Sequence, residues 1–450
     1  MTERDEYRVA LALPGRQVLV TGASGSAQLP RVTVPKWSRP AEQLTMSIAE
    51  RWHVQCVVID FFRDKSMTQP SAIAEVLTKE WGFGKSDLAA VELRDISGRD
   101  LSEVERTALE AILTGDPGDR GPFSRLGWVG DVKSWIKASV YDHEVEFSEH
   151  IRQLNAGGNF ALVRLATKRG PAYWMKAVGE PNTHEFTVTT NLARTHRDFM
   201  PPVVCARSDW NAWVMEEVGQ PLNSSSPLSE CERAVTGLAA MQKHVVDRAQ
   251  ELLLLGCVDQ RMENLRSHVD EVVEYLEDAM GRQTTTKVPR IAQARLRELG
   301  RVLRDACCRM QELEIPDSLT HNDINPGNIL SDGSRCVFTD WCEASVGNPF
   351  LTFEHLVRWL SRDRDRPQAW SGQLGTIYKS SWRDVVSEGQ IERAFVLTPL
   401  LAVLACLYGR GTWLTSPVRH DARFQGYSRS LARHMDRAAQ DARLLEALCQ

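Results

Sequence analysis

The sequence carries ten cysteines but no Cys-x-x-Cys pair and no His/Cys spacing suited to zinc. That excludes a zinc finger or ribbon as the organising element, and the scattered thiols, including adjacent Cys307 and Cys308 on a helical pattern, read as reduced core residues. Charge of one sign is also scarce. Lys plus Arg (54) nearly balance Asp plus Glu (59), the formal net charge is -5, and no basic stripe interrupts the mixture. Nucleic acid is therefore not an expected partner. No apolar run reaches the ~20 residues that cross a bilayer. The longest, 394–408, is broken by Thr398 and Pro399 and predicts a buried helix, so no membrane contact is expected. The N-terminus lacks the charged-then-apolar order of a signal peptide, which points to the cytoplasm. Internal repeats and low-complexity segments are absent as well. What is present is the composition of a globular protein, 42% hydrophobic and 25% charged, on a chain of 450 residues. That length suits two or three domains.

Residues 7–13, 17–21 and 31–34 are strand-like, the first two separated by the turn pair Pro14-Gly15. Pro40 starts a helix whose apolar face is Ala41, Leu44, Ile48 and Trp52, and 54–62 returns as a strand. Ser102 and Glu105 form a capping-box pattern for a helix to about Thr114. The glycines and prolines of 115–122 suit neither helix nor ladder, so a boundary is placed there. Beyond it, 123–140 carries an amphipathic helix with Trp128, Val132, Trp135 and Ile136 on one side. Strands are then expected over 150–154, 160–166 and 172–178, joined by a tight turn at Gly157-Gly158 and another ending at Gly170. Helical periodicity dominates 229–314 and most of the chain after Phe353.

The informative segment is 320–341. Pro326 and Gly327 make a loop between Asp323 and Asn328, Ile329 and Leu330 lead into a short hairpin through Ser331 and Gly333, and Asp340 follows its second strand. Such a loop and strand end can gather three oxygen-bearing side chains around a metal triphosphate. Phosphoryl transfer needs a carboxylate to orient the attacking hydroxyl and accept its proton, and oxygen ligands for the magnesium that bridges the phosphates. Magnesium keeps several waters, so one carboxylate and one amide oxygen suffice. Asp323 is the expected base, with Asn328 and Asp340 as the Mg2+ ligands. His321 joins this catalytic group as a loop support that takes no proton. Asn, Asp, Pro and Gly are also ordinary turn residues. A plain turn, however, does not call for the whole pattern followed by an apolar strand and Asp-Trp.

His-x-Asp-x-x-x-x-Asn, followed about a dozen residues later by an apolar strand ending in Asp340-Trp341, resembles the aminoglycoside phosphotransferase and choline kinase superfamily. The resemblance covers roughly 123–450, including a helical element before the small lobe found in one bacterial branch. It implies a bilobal protein-kinase-like fold, ATP as the donor with GTP as the alternative, and Mg2+. The chain departs from the pattern at Asn322, where glycine is usual, and at Asn348, where Asp commonly precedes the proline. Asn tolerates left-handed backbone, so the first change need not distort the loop.

Within a kinase-like lobe, a lysine on the third strand touches the nucleotide phosphates and a helix glutamate pairs with it. Lys176 and Glu185 occupy those places. The Gly157-Gly158 turn stands where a phosphate-covering loop belongs, without the Gly-x-Gly-x-x-Gly pattern. Residues 213–219 resemble the last small-lobe strand entering the hinge, with Glu217 and Val218 as the expected contacts to the base. The first 114 residues are similar to a Nudix-type fold, but only Glu50 survives of its three metal-binding positions, with Ser47 and Arg51 at the others. A docking or substrate-shaping role is expected there in place of hydrolysis.

The expected architecture is α+β: a Nudix-like module at 1–114, a linker at 115–122, a kinase-like small lobe with its preceding helix at 123–217, and a helical large lobe at 218–450. The leading function is transfer of the γ-phosphate of ATP to a hydroxyl of a small molecule. A kinase acting on Ser or Thr of a peptide or protein, and a non-catalytic nucleotide-binding scaffold, are the alternatives. Lys and Arg outnumber Asp and Glu over 351–450, which favours a neutral or acidic hydroxyl compound or a peptide over a polycationic aminoglycoside. The oligomeric state is not fixed by the sequence.

Overall fold

Alternation along the first strand organises the N-terminal part. A computed structural model describes residues 3–449 apart from 23–27, 37, 64–68, 79–86, 116–117, 142–143, 362–368, 410–413 and 415–416. In β1 (Arg4–Leu13), Tyr7, Val9, Leu11 and Leu13 enter one core while Ala10 and Ala12 enter another. Burial on both faces marks a central strand. It pairs antiparallel with β2 (Gln17–Thr21) and β3 (Arg31–Pro35). After α1 (Pro40–Trp52) come β4 (Cys56–Phe62), β5 (Ser71–Val76) and β6 (Leu88–Glu92), and β5 lies parallel to β1. The sheet order is β4-β5-β1-β2-β6, with β3 on β1. The α1 face Ala41, Leu44, Ile48 and Trp52 covers one side. The other side is covered by Ala108, Leu109 and Ile112 of α2 (Glu103–Thr114), which begins at the Ser102–Glu105 capping box.

The helix α3 (Trp128–Ser139) then packs Trp128, Val129, Val132 and Ile136 against a five-stranded sheet. That sheet is built from β7 (Phe147–Asn155), β8 (Ala161–Thr167), β9 (Tyr173–Ala177) and, after α4 (His184–Thr195), β10 (Val203–Arg207) and β11 (Ala212–Glu216). Its order is β10-β11-β9-β8-β7. Trp135, expected on the buried side, is half-buried.

By contacts the chain divides into two compact units, Met1–Phe186 with Pro202–Glu217, and Thr187–Pro201 with Val218–Gln450. The break expected at 115–122, of which 116 and 117 lie outside the described residues, does not separate units. The physical reason lies in the edge strand β4. Its Val58 donates from N to Gln153 Oε1 at 2.7 Å, and Val58 O accepts from Gln153 Nε2 at 2.8 Å, so one buried β7 side chain stands in for a missing ladder partner. Val57 joins the core under the five-stranded sheet. Glu42 of α1 pairs with Arg152 at 2.7 Å, and Glu75 accepts from Gly127 N at 2.8 Å.

The second unit is largely helical. It contains β12 (Gln220–Pro221), α5 (Leu228–His244), α6 (Ala249–Leu254), β13 (Val258–Gln260), α7 (Met262–Ser267), α8 (Val269–Gly281) and α9 (Gln293–Glu312). There follow β14 (Ser318–His321), β15 (Ile329–Ser331), β16 (Cys336–Phe338), β17 (Ala344–Gly347), α10 (Phe350–Ser361), α11 (Ala369–Ser381), α12 (Glu388–Gly409), α13 (Ala422–Ala438) and α14 (Ala442–Cys449). Two small sheets, β12-β15-β16 and β13-β17-β14, sit among these helices. Among the described residues, α12 is long and apolar enough to span a membrane by length and composition, and most of it is buried in this unit. Three acidic residues of α8 meet arginines: Asp270 with Arg304, Glu277 with Arg297 and Asp278 with Arg282.

Candidate functional site

The strand β14 is buried along its whole length and runs antiparallel to β17, pairing His321 with Ala344. His321 then ties three segments together. Its backbone N donates to Thr352 Oγ1 at 3.0 Å, its Nε2 donates to the carbonyl of Thr339 at 2.9 Å, and its ring lies 4.6 Å from that of Trp341. Since a carbonyl only accepts, the proton on this side of the imidazole sits on Nε2.

Beyond His321 the loop is folded on amide side chains. Asn325 Oδ1 accepts from Gly327 N at 2.9 Å, an Asx-turn, while its Nδ2 donates to the carbonyl of Asp323 at 3.0 Å. Asn328 Nδ2 donates to the same carbonyl at 2.9 Å and reaches Asp323 Oδ2 at 3.4 Å. With its nitrogen committed to Asp323, Asn328 has Oδ1 left as the atom for a hard cation. Ile324 and Ile329, both fully buried, anchor the loop between them. The β15–β16 hairpin pairs Ile329 with Phe338, and Thr339 N donates to Asn328 O at 3.0 Å. Asn328 and the Thr339–Asp340 peptide therefore share one end of the hairpin. Asp340 takes left-handed backbone, φ 66 and ψ 62. For a residue with a Cβ this costs on the order of 1 kcal/mol, and such outliers concentrate at functional sites. Asp323 and Asp340 are both half-buried, as suits carboxylates that must reach a ligand.

The two departures from the family pattern have structural accounts. Asn322 is not among the described non-glycine residues with positive φ, so the left-handed tolerance expected of it is not used. Its side chain is buried, with Nδ2 donating to Ser345 Oγ at 3.0 Å. Asn348, also buried, accepts from Phe350 N at 3.0 Å and caps the start of α10. That role needs an oxygen acceptor, and an amide supplies it without charge.

The remaining candidate residues, apart from Val218, belong to the first unit. Lys176 Nζ lies 2.5 Å from Glu185 Oε1, and Glu185 is buried. A Cβ on Gly157 would meet the ring of Phe160, an exposed side chain. A Cβ on Gly158 would fall 1.8 Å from Arg120 O, and Phe123 N donates to Gly158 O at 3.1 Å, so Gly158 serves close packing. Glu217 receives both Arg164 Nε at 2.6 Å and Arg164 Nη2 at 2.7 Å, with Trp174 Nε1 at 3.0 Å. Hydrogen bonding from Arg164 is the main reason its carboxyl is held below the ordinary range. Its N–H donates to Ala172 O at 2.8 Å. Val218 begins the longer segment of the second unit and is half-buried.

Sequence reasoning missed Gln260, Ser345 and Gly409, which lie behind Asn322, and a cavity of about 520 Å³ whose lining includes Asp259, Arg261, Asp317 and Asn348. No local pattern joins residues so far apart in the chain.

No family model matches the sequence, and no curated protein matches it significantly. Among solved structures, the chain is similar to a choline/ethanolamine kinase family protein from Mesorhizobium loti, at 14% identity and TM-score 0.45 over 71% of this chain and 98% of that one. It is similar to choline kinase from Cryptosporidium parvum at 10% identity and TM-score 0.47, covering 69% and 95%. A third similar structure is macrolide 2'-phosphotransferase MphH from Brachybacterium faecium, at 15% identity and TM-score 0.40, covering 69% and 97%.

Proposed function

We propose that this chain is a magnesium-dependent phosphotransferase that moves the γ-phosphate of ATP, with GTP as the alternative donor, to a hydroxyl of a small molecule. The observation that carries this reading is the loop and hairpin of 321–340, in which two amide side chains clamp the carbonyl of Asp323 and the ladder aligns Asn328 with Thr339. Asp323 orients the acceptor hydroxyl and takes its proton. Asn328 through Oδ1 and Asp340 through its carboxylate are the hard oxygen ligands that fit Mg2+. The bound metal supplies positive charge against the charge on the transferring phosphoryl group. Lys176, a cation in an apolar strand and paired with Glu185, is assigned to the phosphates, and the peptide groups of Glu217 and Val218 to the base. The Glu185 ion pair offsets the cost of placing a lysine in an apolar strand and holds its ammonium group in place.

Residues 1–114 are proposed as a Nudix-like module without hydrolase activity. On α1, Glu50 is exposed, and its neighbour Arg51 stacks 4.4 Å over Trp52. One carboxylate beside an arginine is a poor divalent-metal site.

Asp323→Asn tests the reading directly: calorimetric MgATP affinity stays near wild type while turnover falls by roughly 10²- to 10⁴-fold. Full turnover by this variant would remove Asp323 from the mechanism. Asp340→Ala is expected to abolish magnesium-dependent nucleotide binding, and an unchanged affinity contradicts its assignment. The acceptor is to be found by coupled ATP-consumption assays over aminoglycosides, macrolides, choline-like alcohols, sugars and Ser/Thr peptides. The reading expects a neutral or acidic compound. An aminoglycoside turned over with kcat/KM at or above ~10⁴ M⁻¹s⁻¹ overturns that expectation.

A further inference from the structure

We infer that Asn322 is a positioning residue for Asp323, held by a buried hydrogen-bond chain that runs from the catalytic loop to the last turn of α12. The inference rests on the phosphotransferase reading, since it concerns the residue directly before the assigned base.

The chain of donors and acceptors closes without a gap. Asn322 Nδ2 donates to Ser345 Oγ at 3.0 Å, and Ser345 Oγ donates to Gln260 Oε1 at 3.1 Å. Gln260 Nε2 donates to the carbonyl of Ala405 in α12 at 2.8 Å. With its own proton used on Gln260, Ser345 Oγ also accepts from Thr320 Oγ1 at 2.6 Å. Every link is deeply buried: Asn322 is 5% exposed, Gln260 and Thr320 1%, and Ser345 0%. A buried polar chain of this kind is rigid when complete and costly when broken, because a lost link leaves a desolvated donor or acceptor behind.

Space for the chain comes from Gly409. A Cβ there would stand 2.0 Å from Gln260 Nε2 and 2.5 Å from Asn322 Nδ2. Both amides sit where a side chain at the end of α12 would otherwise be. The opposite side of the loop is held separately, through the amides of Asn325 and Asn328 on the Asp323 carbonyl. Asp323 is thus clamped from the front at its own carbonyl and from behind through its neighbour. Losing the rear clamp lets the loop move without removing any group that meets nucleotide or metal. A displacement near 1 Å is enough to lower a chemical step by about 10²-fold.

The experiment uses the full chain with MgATP and water as the acceptor, which yields ADP and inorganic phosphate, at a temperature where near-UV circular dichroism shows each variant folded. Asn322→Ala, Ser345→Ala, their double variant and Gly409→Ala are compared. Each single variant is expected to lower turnover at saturating MgATP at least tenfold, with KM and calorimetric affinity for MgATP within threefold of wild type. The double variant is expected to be no slower than about twofold below either single, because both break one chain. Hydrogen exchange of the peptide spanning 318–330 should rise in all four. Unchanged turnover in Asn322→Ala, or losses that multiply in the double variant, overturn the inference. Asp323→Asn runs alongside as the control for the function itself. If it keeps the wild-type rate, with water or with the hydroxyl acceptor found by the coupled assays, the phosphotransferase reading fails. If it loses the rate while Asn322→Ala keeps it, only the positioning role fails.

Discussion

Asp317, in the lining of the cavity beside Asp259 and Arg261, shows how one side chain links pH to stability. Burial pushes its carboxyl up from 3.8 to about 6, Arg261 opposing and Asp259 adding to the effect. Between those values the folded protein holds a proton that the unfolded chain has released, so stability falls as pH rises through this window and the penalty is complete above about 6. Asp317→Asn is therefore expected to melt above wild type at pH 7 and to converge with it below pH 4, read by thermal denaturation across pH. A difference that does not change with pH would place the cause elsewhere. Asp317 drew no notice in the sequence, because its burial depends on the lining around it. The reverse holds for Asp323, Asn328 and Asp340, whose spacing alone marked them. At Asn322 the residue was visible but its use was not: the left-handed backbone falls at Asp340, and Asn322 instead donates from its side chain to Ser345 Oγ.

Among the elements, α2 depends on a contact that its capping box only partly announces. Glu105 closes the box with Ser102 N at 2.8 Å and also receives Arg8 Nη2 at 2.8 Å. The side chains of Arg8 and Glu105 are 3% and 1% exposed. Removing one partner strands a buried charge, which costs about 3–5 kcal/mol, whereas replacing both with apolar residues of similar volume costs far less. Glu105→Ala should lower the urea midpoint strongly, and Arg8→Met with Glu105→Leu should recover most of the loss. Equal losses in the two would locate the stability in the other hydrogen bonds of this pair, to Ser102 N, Ser71 Oγ and the carbonyls of Gln69 and Asp100. The box, α1 and the β7–β8 and β15–β16 hairpins were legible because each is encoded by residues a few places apart. The strand β5 was not: Ala72, Ala74 and Glu75 have little β preference, and the segment is a strand because β1 lies parallel to it.

In the first unit as a whole, the module at 1–114 is built into the sheet that follows it. Deleting it would take away Val58 from Gln153, Glu42 from Arg152, Glu75 from Gly127 and Val57 from the core. The truncated chain is expected to lose the calorimetric transition of this unit or to show it at a markedly lower temperature. A remainder that unfolds as in the full-length protein would make the module an independent attachment. This coupling also bears on any truncation used to seek a recognition role for the module, since lost acceptor binding would accompany a loosened sheet.

The sequence by itself determined the candidate loop and the local elements, because caps, tight turns and an aspartate five residues before an asparagine are relations within a few residues or one hairpin. Apolar periodicity likewise marked the buried faces of α1 and most of that of α3, as well as the buried stretch of α12. Only the tertiary structure decided what holds that loop and where the chain divides. Gln260, Asn322, Ser345 and Gly409 become neighbours through strand pairing and helix packing across some 150 positions, and the 115–122 break disappears because an edge strand must have its backbone hydrogen bonds met. Both outcomes follow from satisfying buried polar groups, a condition imposed by the assembled fold and carried by no single stretch of the chain.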